Sequence, residues 1–329
     1  MDYCLFIINE NDFPNCRSEG ESVLFVDDDS DLVHDSDSNR LIQKILKKAD
    51  LSCSWLKDNR MCVAGNKSKL LIIGTEELKK SRLGTQPISI SVDGKVVNES
   101  ISEKLLGIVI SNDLTWRDHM YGENDGLLSA LSKRLGVIKK LSQYCSRAKL
   151  SMIAEGIFYS KLRYGLPLLT TTWGLEKYKD GDSRFKNLTK EDNRKLQVLQ
   201  NQLCRIILLK GNLYKKQSIP TEQLLAQCNQ LSVHQMGAYT TIIMVKKILQ
   251  SGKPTYIKRR LRIQRNEKTR NSEALIPIQG KLGATRSSFI YRGIKLFNML
   301  PKELQEEKSM YSFKKDVKKW ISMVIYVKP

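Results

Sequence analysis

Ser22-Val23-Leu24-Phe25-Val26-Asp27-Asp28-Asp29-Ser30-Asp31-Leu32-Val33 decides how the chain is read. Short apolar or β-branched runs flank an acidic turn, the pattern of an antiparallel hairpin. Adjacent carboxylates at a tight turn repel, and each raises the pKa of the other. A divalent cation relieves that repulsion. Mg2+ takes one or two carboxylates together with substrate phosphates, and a pair of such ions can activate a hydroxyl and stabilise a departing pyrophosphate. Two plainer readings remain open. Asp27, Asp29 and Asp31 have the spacing of a calcium loop, but Leu32 and Ser38 stand where that loop needs Gly and Glu. The other is a solvated acidic turn ahead of a helix N-terminus, where the helix dipole favours acids.

Downstream, Asp37 or Ser38 caps an expected helix with Leu41, Ile42, Ile45, Leu46 and Ala49 inward and Lys44, Lys47 and Lys48 outward. Residues 61–74 read as strand, turn at Gly65-Asn66, strand. Ile88, Ile90 and Val92 alternate into a turn at Asp93-Gly94, Val96 and Val97 resume, and Lys104 to Ile110 adds one more strand. Up to about residue 120 the pattern is α+β, antiparallel strands with one helix against them.

Beyond that the period turns helical. Leu127, Leu128, Leu131, Leu135, Ile138 and Leu141 leave Lys133, Arg134, Lys139 and Lys140 mostly outside. Ile153, Ile157 and Phe158 continue in a second helix that ends near Tyr164-Gly165. Thr189 with Asp192 has the spacing of a capping box, and further helices fit 221–229 and 233–250. Residues 253–270 hold eight Lys or Arg and one acid, and read as a mobile basic linker. A last helix places Phe313, Val317, Trp320, Ile321 and Val324 on one face.

The net charge of +20 is unevenly spread. Residues 1–50 hold 12 acids and 5 bases, and the other 279 residues hold 23 and 50. An acidic segment joined to a basic body suits a cation site beside a polyanion track. The bland alternative is a solvated basic surface. The seven cysteines, at 4, 16, 53, 62, 145, 204 and 228, show no CxxC pair, so neither a zinc knuckle nor a redox motif is signalled. Their odd, dispersed placement fits a reducing compartment. No secretory signal is visible at the start, and no apolar run approaches the ~20 residues that span a bilayer. The expectation is an intracellular protein, nuclear or cytoplasmic, with no membrane partner.

The aromatic-x-Asp-Asp hairpin resembles the third palm motif of reverse transcriptases, and the order of what surrounds it is similar to non-LTR (LINE-type, jockey-like) retrotransposon enzymes. Leu5 to Asn9 and Asn11 to Pro14 resemble the segment entering that hairpin. Trp55-Leu56, Asn59 and Asn66-Lys67-Ser68-Lys69 resemble the fourth motif, with Ser68 where Thr is usual. Leu105-Leu106-Gly107, Leu114-Thr115-Trp116 and His119 match a stretch near the primer grip. Arg286 to Phe289, Tyr291-Arg292, Phe297-Asn298, Leu300-Pro301 and Phe313-Lys314 look like the family's C-terminal region.

The resemblance implies an RNA-directed DNA polymerase that uses two-metal nucleotidyl transfer with Mg2+, deoxynucleoside triphosphates, an RNA template and a DNA primer or RNA–DNA hybrid. It implies a partial palm over 1–120, thumb-like helices over 121–170, a helical region over 171–252, and a basic linker with an amphipathic helix over 253–329. Asp27 becomes the main metal ligand and Asp28 its neighbour. Lys67 lies near the triphosphate, and Phe25 packs beneath the primer end. Leu106 and Gly107 turn the backbone toward the primer, and Lys133, Arg134, Lys139 and Lys140 track phosphates. Trp116 and His119 read as core or interface residues rather than ligands. The first palm motif, with another metal-binding Asp, belongs well upstream of Leu5, as do the template-positioning motif, the fingers and an endonuclease. Asp2 enters the hairpin from the wrong side to replace that Asp, so the expected chain is inactive alone with weak or absent Mg2+ binding. The alternative is a non-catalytic basic nucleic-acid-binding module derived from a retrotransposon.

Overall fold

The computed structural model describes residues 12–16, 20–26, 28–84, 86–122, 126–169, 188–209, 219–265, 273–279 and 288–324. The fold is mixed α+β, with several small sheets and predominantly helical secondary structure. The chain divides into two compact units, Met1–Leu105 with Ile110–Leu114, and Leu106–Val109 with Thr115–Pro329.

In the first unit, β1 (Glu21–Phe25) and β2 (Asp28–Leu32) form the expected antiparallel hairpin in the register Glu21↔Leu32 to Phe25↔Asp28. Gly20, at φ +79°, lets the entering chain pass β2 closely; a Cβ there would lie 2.4 Å from the Leu32 carbonyl oxygen. Helix α1 (Ser38–Asp58) starts where the sequence places it, because the Asp37 side chain accepts from the Arg40 N–H at 2.9 Å. Its inner face meets a small core of Cys53, Leu70, Ile72, Ile90, Val92 and Val97. One expectation fails on this helix. Lys48, placed outward by periodicity, is 3% exposed and turned toward the hairpin.

The strands beyond α1 also differ from the expected single antiparallel layer. Residues 61–64 form no strand; the helix end extends into this segment, with the Asn59, Arg60 and Met61 amides donating to the carbonyls of Trp55, Lys57 and Leu56. Only β3 (Leu70–Leu71) follows the turn, and it pairs parallel with β5 (Lys95–Ser100), which pairs antiparallel with β4 (Ser89–Val92). A second helix, α2 (Glu76–Leu83), is capped by Thr75. The β4–β5 turn is as read from Asp93-Gly94, both with positive φ (50° and 74°). The strand expected over Lys104 to Ile110 is instead a hairpin, β6 (Ser102–Leu105) and β7 (Ile108–Ser111), folded at Leu106-Gly107.

The second unit is helical: α3 (Arg117–Tyr121), α4 (Leu127–Leu141), α5 (Arg147–Ala154), a π-helical turn at Glu155–Tyr159, α6 (Ser160–Arg163), α7 (Leu166–Leu169) and α8 (Lys190–Leu209). There follow α9 (Thr221–Gln227), α10 (Val233–Ser251), α11 (Thr255–Arg260), the hairpin β8 (Ile263–Arg265) with β9 (Glu273–Leu275), α12 (Phe289–Asn298), α13 (Lys302–Glu306) and α14 (Met310–Val324). Residues Leu131, Leu162, Leu203, Ile242 and Val317 are all fully buried in one continuous core, so stretches that read separately in the sequence share a single interior. The Thr189–Asp192 capping box forms, with the Thr189 N–H donating to the Asp192 carboxylate at 2.8 Å and the Asp192 N–H to the Thr189 hydroxyl at 3.1 Å. The segment read as a mobile basic linker is not structureless: Leu261, 2% exposed, anchors α11 and the following strand to the core. Residues 266–270 of that segment lie outside the described residues.

Candidate catalytic hairpin and nucleic-acid-binding surfaces

At the hairpin tip, β1 ends at Phe25 and β2 begins at Asp28, so two residues, Val26 and Asp27, connect the strands. Val26 has φ 58°. A β-branched residue in the left-handed region costs about 1–2 kcal/mol, a strain that tends to collect at functional turns. Asp27, read from the sequence as the principal ligand, lies outside the described residues. Strand alternation puts Val23, Phe25 and Asp28 on one face, where Val23 and Phe25 are 53% and 58% exposed. Phe25 is therefore not a core residue, and its ring lies open beside Asp28.

The opposite face of the hairpin is held by one cation from α1, and two more hold the acid that follows β2. The Lys48 ammonium lies 2.9 Å from an Asp31 oxygen and also donates to the Glu21 carbonyl at 3.4 Å; the Ser22 hydroxyl donates to Asp31 at 2.7 Å. Asp35 receives Lys44 at 2.9 Å and, at 3.8 Å, Arg40. The Asp37 N–H donates to that carboxyl, and together with Lys44 holds its pKa down at about 2. Asp28 has no ion pair with any described residue, although two acids further along each have one. The described residues thus bring one uncompensated carboxylate to the tip, and no group of three His, Cys, Asp or Glu converges among them. A two-ion Mg2+ site is not complete within that set.

Lys67 sits exposed in the turn after α1, with its own N–H donating to the Ala64 carbonyl at 2.7 Å. Beside it is a polar groove of about 410 Å3, lined by Asn66, Ser68, Lys69 and Lys95 among others. No contact between Lys67 and Asp28 is present among the described residues.

In the second unit, Leu106 (φ 46°) and Gly107 (φ 82°) make the tight turn expected of them. The Tyr164 hydroxyl donates to the Leu106 carbonyl and fixes the turn against the helices. His119 is 3% exposed and its Nδ1 accepts the Val109 N–H at 3.3 Å, while Trp116 packs against the core. Both serve structure, as their sequence context suggests.

Helix α4 buries Leu127, Leu131, Leu135 and Ile138 and leaves Lys133, Lys139 and Lys140 exposed. None of these three lysines forms an ion pair with a described residue. Arg134 departs from its expected role: it is partly buried and its guanidinium donates to the Ile157 carbonyl, closing α4 onto the π-helical turn. Two features escape periodicity-based reading. Lys48 is recruited by an acid that precedes it by 17 positions, and Tyr144, just past α4, is 84% exposed. The signal for Tyr144 is compositional, a long run without acids around it.

No helix among the described residues is long and apolar enough to cross a membrane. Cys53, Cys62, Cys145, Cys204 and Cys228 are free thiols. No family model, curated protein or solved structure matches the chain.

Proposed function

We propose that this chain is part of a non-LTR retrotransposon reverse transcriptase, running from the catalytic hairpin of the palm through a helical thumb into a basic C-terminal region. By itself it holds nucleic acid without copying it. The hairpin tip carries this reading: a two-residue connection that starts at strained Val26, with Phe25 exposed beside an Asp28 that has no ionic partner among the described residues. A merely solvated two-residue turn also takes a positive φ, as at Asp93, but needs neither a β-branched residue there nor the open aromatic ring.

The residues divide the work by chemistry. Asp27 and Asp28 present carboxylates to Mg2+ in the intact enzyme, where the ion would activate the primer hydroxyl and neutralise the departing pyrophosphate. Phe25 supports the primer end. Lys67 supplies a mobile ammonium for triphosphate charge. Leu106-Gly107 offers backbone at close range, and Lys133, Lys139 and Lys140 contact phosphates of an RNA template and DNA primer or of their hybrid. Arg134 supports the helix that carries those lysines rather than the polyanion.

The test is fluorescence anisotropy of the purified chain with a labelled RNA–DNA hybrid at low and moderate salt, together with a Mg2+-dependent primer-extension assay. With three phosphate contacts, affinity falls roughly 40-fold between 50 and 200 mM salt. No extension product forms. Salt-independent binding, or template-directed synthesis, overturns the proposal.

One observation favours a second reading, a non-catalytic nucleic-acid-binding module derived from such an element. The basic helices belong to a unit with its own continuous core. Genomic sequence before the Met1 codon discriminates the two. An open frame encoding further palm motifs supports the enzyme part, and an independent start supports the module.

A further inference from the structure

From Gly126 to Ala154 the chain holds six basic residues and no acid, and Glu155 is the first carboxylate after them. Helices α4 and α5 in this stretch bury Leu131, Ile138 and Leu150 completely and leave their lysines in water. Tyr144 lies in the connection between the two helices, where its N–H donates to the Leu141 carbonyl at 3.0 Å and continues the helical path by one turn. Its side chain is 84% exposed. Val137 and Met152 on the same helices are also exposed, at 50% and 75%, but Tyr144 is the most exposed of the three and the one flat ring among them.

Cations bracket that ring in the sequence: Lys140 is four residues before it along the helical path, and Arg147 three residues after it, at the start of α5. The Arg147 Nη2 donates to the Gln227 carbonyl at 2.8 Å, which fixes the direction of the guanidinium and leaves its other donors available. A flat open ring bracketed in sequence by cations, with no carboxylate in the run, matches a ligand that pairs planar faces with regularly spaced anions. An acidic peptide would satisfy the cations but not the ring. A nucleic-acid duplex hides its base faces and offers this surface its phosphates alone. An unpaired strand offers both.

We propose that Tyr144 is a stacking platform for an unpaired nucleotide of single-stranded RNA or DNA, with Lys140 and Arg147 on the flanking phosphates. This rests on the nucleic-acid reading above and adds the strand state that the surface takes.

The full chain is titrated with oligouridine, oligothymidine and a blunt RNA–DNA hybrid of equal length. Tyr144→Ala weakens single-strand affinity about 5- to 150-fold, the factor corresponding to ~1–3 kcal/mol of base–aromatic stacking, and leaves the hybrid within about twofold. Tyr144→Phe, which keeps the ring, binds as wild type does. Lys140→Ala weakens all three probes. A loss on one or both single strands supports the platform and tells RNA from DNA as its source. Unchanged single-strand affinity in Tyr144→Ala, or an equal loss on the hybrid, overturns it. Failure of the wild-type chain to bind any of the probes would overturn the broader nucleic-acid reading as well.

Discussion

The Lys48 ammonium, 3% exposed, sits 2.9 Å from the Asp31 carboxylate and ties helix α1 to the acidic strand of the hairpin. Asp31 retains 26% side-chain exposure, so the pair is half-shielded and its cation is the more deeply buried partner. This bond orients the strand that begins at Asp28, and it acts on the tip through β2 rather than by touching it.

Lys48→Met therefore strips the hairpin of its anchor and leaves Asp31 beside a new apolar surface. The expected loss is about 2 kcal/mol, below the cost of breaking a fully buried pair because Asp31 still meets water. Amide exchange over residues 21–32 should accelerate while α10 and α14 are unaffected. Adding Asp31→Asn to Lys48→Met should recover part of the loss. No recovery in that double variant would show that the ammonium acts through packing alone.

Arg292 is a second buried cation, with a different role. Its guanidinium donates to the carbonyls of Pro167 and Leu168 at 3.0 and 3.1 Å and to Ser288 at 3.3 Å, satisfying the end of one helix and the start of another. Arg292→Met removes that donor from the Pro167 and Leu168 carbonyls, while Ser288 keeps the Arg292 backbone N–H at 3.2 Å, for a cost of about 2–4 kcal/mol in the second unit. A melting temperature within a degree or so of wild type would contradict this assignment.

Acid should loosen the same unit through His234. Burial pushes its pKa down from 6.5 to about 4, so the unfolded chain takes up a proton that the folded chain refuses. The contribution is intact above pH 6.5 and is lost progressively as pH falls from there toward 4. At pH 5 the penalty is on the order of 2 kcal/mol, and His234→Gln should flatten that part of the stability profile. Denaturant titrations of both proteins at pH 7 and pH 5 check the sign and the size.

The acidic hairpin was legible because alternation and turn chemistry act locally. Val23 and Phe25, the register at Asp28, the cap at Asp37 and the box at Thr189 all depend on residues close in sequence. Lys48 was misplaced because amphipathic periodicity treats lysine as solvated, whereas an acid on a neighbouring strand can draw it inward. The missing strand at 61–64 reflects the same limit, since the helix end reaches as far as the Met61 amide, which donates to the Leu56 carbonyl. Arg134 looked like a surface cation, and only a carbonyl left available by the π-helical turn at Glu155–Tyr159 explains its inward course. Sharing of one core by α4, α8, α10 and α14 is a property of long-range packing, which no local period reports.

The most direct test of polymerase descent is photo-cross-linking of the purified chain to an RNA–DNA hybrid that carries a photoreactive base at the primer 3′ end, with the attached peptide identified by mass spectrometry. A polymerase palm predicts cross-links on the peptide containing Phe25 and Val26, reduced by Phe25→Ala. Attachment solely within the basic residues 253–270, with the hairpin untouched, would contradict it.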